Sequence, residues 1–315
     1  MTDFNELPNS GFFARHETFC PRYGWLKKGF DGVLSDSDIF DTQDAIEKLG
    51  VGKNMVRAIR FWGVAFKIIE ARQESTRQRL SGPMRGTRFG KKLLSDKNGW
   101  DPFLEDPGTL WLLHWNLFVP PIAATAWSYA INLKNLGLFS LQDLGRALSD
   151  CKESVPELSR YSDSSLEKDA SCFTRMYAPG RRFSEEIECP FTQLDLLLSG
   201  EKTQTFRFNT DTKPSLPDMI FLAACFDYAR HSQPDLKTLG LNKIVYHMNS
   251  PGAVFKLSET DGGHRLERAA ENLDGVLFTE SYGNRQLQFE REPENLYWEA
   301  LIRYFKDSGH IGFKR

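Results

Sequence analysis

At 315 residues, with 40% hydrophobic and 26% charged side chains, the chain is long enough for two or three packed units. Its formal net charge of −2 excludes a global pull toward nucleic acid or an anionic membrane, so any such pull is local. The five cysteines, Cys20, Cys151, Cys172, Cys189 and Cys225, are widely spaced and form no C-x-x-C pair. That argues against a disulfide framework or a zinc ribbon and fits a reducing, cytoplasmic setting.

The opening MTDFNELPNS lacks the basic-then-apolar order of a signal peptide. The first dense stretch is RHETFCPRYGWLKK, Arg15 to Lys28. His16 and Cys20 stand four apart, yet a metal site needs three or four ligands and no other Cys/His pair lies near in sequence. Arg15 and Arg22 could lower the pKa of Cys20 and make it a nucleophile. Two further readings stand level. In one, His16, Arg22, Lys27 and Lys28 hold phosphates while Phe19, Tyr23 and Trp25 anchor the segment or stack on bases. In the other, the stretch is an N-terminal arm packed on the first domain with solvated cations.

Next, DTQDAIEKLGVGKNMVRAIRFWGVAFKIIE, Asp41 to Glu70, predicts a short helix at Gln43–Leu49, a turn at Gly50-Val51-Gly52, and a long second helix, the layout of a helix-turn-helix. At about 100° per residue, Met55, Ile59, Trp62, Phe66 and Ile69 share one face. Lys53, Arg57, Arg60, Val64 and Lys67 fall opposite, so one side can pack while the other presents cations to a major groove. The basic excess continues beyond the helix: Lys53 to Lys97 holds 12 Lys/Arg and 3 Asp/Glu, a balance of +9 in a chain of −2. TRFGKKLLSDKNGW, with turn chemistry at Asp96-Lys97-Asn98-Gly99, is expected to form a hairpin, the wing of a winged helix. The competing reading of these cations is a solvated face.

In DPGTLWLLHW, Asp106 is an N-cap and Pro107 suits the first helical position. Trp111 and Trp115 read as core, with His114 a hydrogen-bonded core histidine. The apolar run Leu110 to Leu133 contains His114, Asn116 and Pro120-Pro121 and predicts two buried helices, not a membrane span. FSLQDLGRAL and YSDSSLEKDASCFTRMY predict a second helix pair, with Leu166, Ala170, Phe173 and Tyr177 as a stripe. SLPDMIFLAACFDYA, TLGLNKIVYHM and RLERAAENL predict further helices. VLFTESYGNRQLQF predicts a hairpin about Tyr282-Gly283-Asn284, a second wing, and NLYWEALIRYF a terminal amphipathic helix. The expected fold is mainly α with small β-hairpins (α+β), built of tandem winged-helix or helix-turn-helix-like units. Boundaries fall near residues 105 and 185: 1–105 an arm plus the DNA-binding unit, 106–185 a helical middle, 186–315 a helical unit with a wing.

Catalytic motifs are sparse. There is no G-x-x-x-x-G-K-[ST], G-x-G-x-x-G or G-x-S-x-G, so no nucleotide or organic cofactor is expected. Pro217-Asp218 with Asp235-Leu236-Lys237 matches a nuclease pattern literally, but Asp218 opens an apolar helix, where a first-turn acid favours the dipole.

HETFCPRYGWLKKGF, LGVGKNMVRAIRFW and DPFLEDPGTLWLLHW together resemble the SspB-like family of bacterial proteins, encoded beside DNA phosphorothioation genes. The resemblance implies a DNA-binding component of a phosphorothioate-modification and antiphage defence system. It also implies nicking of one strand to admit sulfur, and partners comprising a cysteine desulfurase, an ATPase and a reductase-like ATP pyrophosphatase. Under the nickase reading Mg²⁺ is the cofactor, His16 the base or phosphate ligand, Glu17 a metal carboxylate joined by Asp101, Glu105 or Asp106, and Arg22 and Lys28 phosphate clamps. Under the alternative the protein is a non-catalytic recognition module on double-stranded DNA. Asn54, Arg57 and Arg60 then read bases, Lys53, Lys67, Lys91 and Lys92 hold phosphates, and Arg85 and Arg88 join them from the Gly/Arg-rich stretch.

Overall fold

Three helices open the fold in the computed structural model, which describes residues 12–72, 80–133, 136–155, 159–178, 189–202 and 204–309. They are α1 (Trp25–Ser35), α2 (Ala45–Leu49) and α3 (Lys53–Ala65). α2 and α3 are the expected pair, joined through Gly50, whose φ of 60° is the left-handed conformation that ends a helix at low cost in glycine. α3 is shorter than its periodicity predicts. The chain turns at Lys67 (φ 61°), and Ile69 lies on β1 (Ile69–Ala71), paired antiparallel with β2 (Met84–Gly86).

The expected hairpin at TRFGKKLLSDKNGW is corrected. Arg88–Leu94 is a helix, α4, capped by Thr87, whose hydroxyl accepts from the Gly90 N–H at 2.8 Å. Phe89, Gly90, Leu93 and Leu94 are its buried side, a helical spacing rather than strand alternation. Gly90 is required there: a Cβ would meet the Ile68 carbonyl oxygen at 2.2 Å, so α4 lies directly on the backbone entering β1. The two-stranded hairpin after α3 is β1–β2 instead, and the residues joining its strands, 73–79 with Arg77 and Arg79, lie outside the described residues.

The long apolar run forms two buried helices, α5 (Pro107–Asn116) and α6 (Thr125–Asn132), separated by a cis Pro120-Pro121 bond. Asp106 caps α5 through the Gly108 N–H at 2.7 Å. No helix of the described residues is long and apolar enough to cross a membrane.

A similar order of elements then occurs twice, with one helix more in the second set. The first set is α6, β3 (Phe139–Ser140), α7 (Leu141–Ser154), α8 (Asp163–Tyr177), β4 (Leu197–Ser199) and β5 (Thr205–Phe208). The second is α9 (Asp218–Ser232), β6 (Thr238–Gly240), α10 (Leu241–Tyr246), α11 (Pro251–Phe255), α12 (Glu259–Ala270), β7 (Val276–Ser281) and β8 (Asn284–Phe289). In both, the first strand runs straight into a helix, and the last strand sits in the middle of an antiparallel sheet: β3-β5-β4 and β6-β8-β7. The β3–β5 pairing spans the boundary expected near residue 185. The β7–β8 hairpin forms where alternation places it, with Tyr282 (φ 50°) and Gly283 (φ 78°) both left-handed, as a two-residue turn that matches strand twist requires. α13 (Pro293–Asp307) closes the chain against α9.

The chain is therefore α+β, with helices dominant and small antiparallel sheets. One contiguous apolar core runs from Phe13 to Phe305. The α8 stripe Leu166, Ala170, Phe173 and Tyr177 is buried in it, each large member contributing about 1.5–3 kcal/mol by burial. Trp111 and Trp115 are core as expected, the latter donating to Asp227 at 2.8 Å. His114 is fully buried between the Tyr177 hydroxyl (2.8 Å) and the Val254 carbonyl (3.1 Å). Burial lowers its pKa to about 3, so it is neutral.

Candidate nucleic-acid interface

The outer side of α4 is basic because its inner side is fixed by packing. With Phe89, Leu93 and Leu94 buried, Arg88, Lys91 and Lys92 face solvent on one stripe with Ser95. β2 adds Arg85, whose neighbours Met84 and Gly86 are buried. These four cations, with Glu70, Gly86, Ser95 and Asn98, line a shallow depression of about 590 Å³. Arg85 pairs with Glu70 at 2.8 Å. Arg88 lies over the Trp298 ring at 4.1 Å, which ties α4 to α13. Lys91 and Lys92 make no ion pair among the described residues. Arg88 is also 3.8 Å from Glu294, so the depression offers an anion two ammonium groups that make no ion pair among the described residues and two guanidinium groups already beside carboxylates.

The other expected DNA contacts are distributed differently. Lys53, Asn54 and Arg57 are exposed at the start of α3, with Arg57 3.5 Å from Glu17. Arg60 corrects the helical-wheel expectation. It is buried, forks onto Asp41 with two 2.8 Å hydrogen bonds, and donates to the Gly82 carbonyl at 2.6 Å. Its hydrogen bonds hold the Asp41 carboxyl below the usual range. Lys67, beyond the helix, donates to the Pro121 carbonyl at 2.6 Å, and Lys28 to the Leu49 carbonyl at 2.7 Å. Arg22 lies against the Phe19 and Trp25 rings, 5.7 and 5.4 Å from their centres. Four of the expected phosphate or base contacts, Arg60, Lys67, Lys28 and Arg22, thus lie against the protein's own chain.

His16 is corrected in the same way. It is 0% exposed, among Phe61, Trp62 and Trp127. Its Nδ1 accepts the Thr18 N–H at 3.0 Å, which leaves the proton on Nε2, donated to Asp169 at 2.7 Å. Asp169 also accepts the Ala14 N–H. Burial raises the Asp169 pKa, against the lowering effect of His16. Both ring nitrogens are engaged, so in this arrangement His16 fastens the arm and cannot act on a phosphate. Sequence reading missed Asp169. Its signal was an acid at a core-facing position of α8, between Leu166 and Phe173.

The literal nuclease match is not assembled as a site. Asp218 opens α9 and pairs with Arg265 (3.0 Å) and Arg268 (2.7 Å), while Lys237 pairs with Glu292 at 2.5 Å.

A family model described as a protein of unknown function, DUF4007, matches residues 13–305, and the chain belongs to that family. No curated protein matches it. Two solved structures, an SspB crystal structure and a magnesium ion-bound SspB crystal structure, each share 34% identity with the chain. Each superposes at a TM-score of 0.87 over 98% of this chain and 92% of its own. The protein is SspB-like, as its sequence motifs led us to expect.

One of those SspB structures is magnesium-bound. In this chain two of the acids expected to gather around Glu17, Asp101 and Asp106, are otherwise engaged. Asp101 accepts the backbone N–H groups of Glu105 (2.9 Å) and Asp106 (3.0 Å), and Asp106 accepts from Gly108 and from the Tyr304 hydroxyl at 2.6 Å. Among the described residues no three His, Cys, Asp or Glu side chains converge as a metal-holding group. Mg²⁺ is commonly held by one or two carboxylates with waters completing its shell, so it does not require such a cluster.

Proposed function

We propose that the protein is the DNA-binding component of a phosphorothioate-modification system used in antiphage defence, holding double-stranded DNA at the α4 groove. The convergence of Arg85, Arg88, Lys91 and Lys92 on one depression carries this reading, since phosphate contact is the chemistry four clustered cations perform best. The +9 balance of Lys53 to Lys97 supports it. So does the SspB likeness. The partners in this reading are a cysteine desulfurase, an ATPase and a reductase-like ATP pyrophosphatase. We read each of the two repeated sets as a winged helix, on the strength of the strand order with the last strand central. Native-gel titration with a duplex at rising salt tests the assignment: retardation should weaken steeply with salt. Salt-independent binding, or none, overturns it.

A second reading, strand nicking, is favoured by the magnesium-bound SspB neighbour. Supercoiled plasmid is incubated with the protein in Mg²⁺ or in EDTA and deproteinised before electrophoresis. Open circles that require Mg²⁺ establish a nickase. Unchanged supercoils from protein that retards DNA leave a recognition module.

A further inference from the structure

Three of the five cysteines, from three separate segments, meet at one place. Cys20 lies at the end of the arm, Cys172 on α8, and Cys189 just before the short 3-10 turn Pro190–Leu194. The Cys20 Sγ is 3.6 Å from the Cys172 Sγ and donates to the Cys172 carbonyl at 3.4 Å. Cys189 points its thiol to the Met176 carbonyl at 3.6 Å. The three differ in access: Cys20 is half-buried, while Cys172 and Cys189 are buried.

The arm is held on α8 at three positions spaced three residues apart. Asp169 takes His16 and the Ala14 N–H, Cys172 takes Cys20, and Arg175 donates to the Thr18 carbonyl at 2.6 Å. This clamp fixes the two sulfurs facing each other. Hydrogen bonds from Cys172 and then Cys189 bring the Cys20 thiol well below its ordinary range against the effect of burial, with the Arg175 guanidinium adding to the lowering. Burial drives the Cys172 and Cys189 thiols the other way. Cys151 and Cys225, alone in the core, are also pushed up by burial, Cys151 to about 12.

We propose that Cys20 and Cys172 are an oxidisable dithiol, a site of modification by hydroperoxides, with Cys20 the attacking sulfur and Cys172 the resolving one. The Cys20 sulfur attacks one peroxide oxygen. An S–O bond forms as the O–O bond breaks, and the departing oxyanion takes a proton. The Cys172 sulfur then attacks the sulfenic sulfur, forming the S–S bond as the S–O bond breaks and water leaves. Over both steps the thiols give up two electrons and two protons, and hydrogen peroxide becomes two waters. Closing 3.6 Å to a disulfide bond needs a movement of about 1.5 Å, within reach of side-chain rotation. The product fastens the arm to α8 covalently across 152 residues of sequence.

The test treats the full-length protein with hydrogen peroxide, alkylates free thiols after unfolding, and maps non-reduced peptides by mass spectrometry. The expected result is a Cys20–Cys172 linked peptide that reductant removes. It should be absent from Cys172→Ser, in which Cys20 proceeds to sulfinic and sulfonic acid, with Cys151 and Cys225 alkylated throughout. The oxidised protein should melt several degrees higher than the reduced one, because the bond restrains a long loop of the unfolded chain. Cys20 left free in excess peroxide, or linked to Cys189 instead, overturns the proposal. Because the wild-type protein supplies the primary readout, a variant that folds poorly does not blunt the test.

Discussion

α3 and α4 come from the same basic segment, and the structure uses them in opposite ways. α3 is the longer and has the cleaner helical wheel, with cations opposite its apolar stripe. Yet from Ala58 to Ala65 it is buried on every side, because the arm packs on Trp62 while Phe40, Asp41 and Gly82 cover the side the wheel left open at Arg60. Arg60, on that side, became an internal strut. α4 has seven residues and reads as a hairpin by its turn chemistry, but it packs on one side only and keeps Arg88, Lys91 and Lys92 outward. A helical wheel gives the angle of a side chain. It does not give what the rest of the chain places at that angle.

The largest effect that would sharpen this contrast concerns the arm behind α3. Asp169→Ala removes the acceptor of a buried histidine and of the Ala14 N–H, and should destabilise the protein by about 3 kcal/mol in denaturant titration. Stability within a few tenths of wild type would mean that the arm is held by other contacts. Next, Arg60→Ala should cost about 2 kcal/mol, reduced from a fully buried pair because Asp41 is 46% exposed. Its duplex affinity should stay at the wild-type level once folding is accounted for. A selective loss of affinity would return Arg60 to the DNA interface.

On α4 the pattern should invert. Lys91→Ala with Lys92→Ala should leave the melting temperature in place and lower duplex affinity about tenfold, with a salt slope shallower by about two phosphate contacts. Equal affinity for wild type and variant would move the interface elsewhere, with the exposed Lys53, Asn54 and Arg57 as the next set to replace. The smallest effect is set by His114. Unfolded, its imidazole takes a proton near pH 6.5, whereas folded it does so only near pH 3. Its contribution is therefore complete above pH 6.5 and falls as the pH drops from there toward 3, by about 1 kcal/mol between pH 6 and pH 5. A His114→Gln variant should lack that part of the acid slope. An identical slope would show that carboxylates alone set it.

Much of this architecture was legible in local pattern. The cap at Asp106, the turn at Gly50, the paired tryptophans, the α8 stripe and the Tyr282-Gly283 turn each follow from a few adjacent residues. The hairpin expected at residues 87–100 failed because two signals overlapped there. The Asp96–Gly99 turn is real, but Phe89, Leu93 and Leu94 carry a helical period that the turn chemistry obscured. Within RHETFCPRYGWLKK, the packed-arm reading describes His16 and the phosphate reading does not. The partners that decide this, Asp169 and Cys172, lie more than 150 residues away.

By itself the sequence determined many of the helical segments, where the core tryptophans sit, and that one stretch holds the chain's positive excess, since periodicity, capping and charge counts are properties of neighbours along the chain. The tertiary structure alone decided which of those cations remain for a ligand, which histidine is sealed in, and which thiols meet. Those outcomes depend on pairs brought together across long loops, such as Arg60 with Asp41 and Cys20 with Cys172. No local period encodes which distant group will desolvate or neutralise a given side chain.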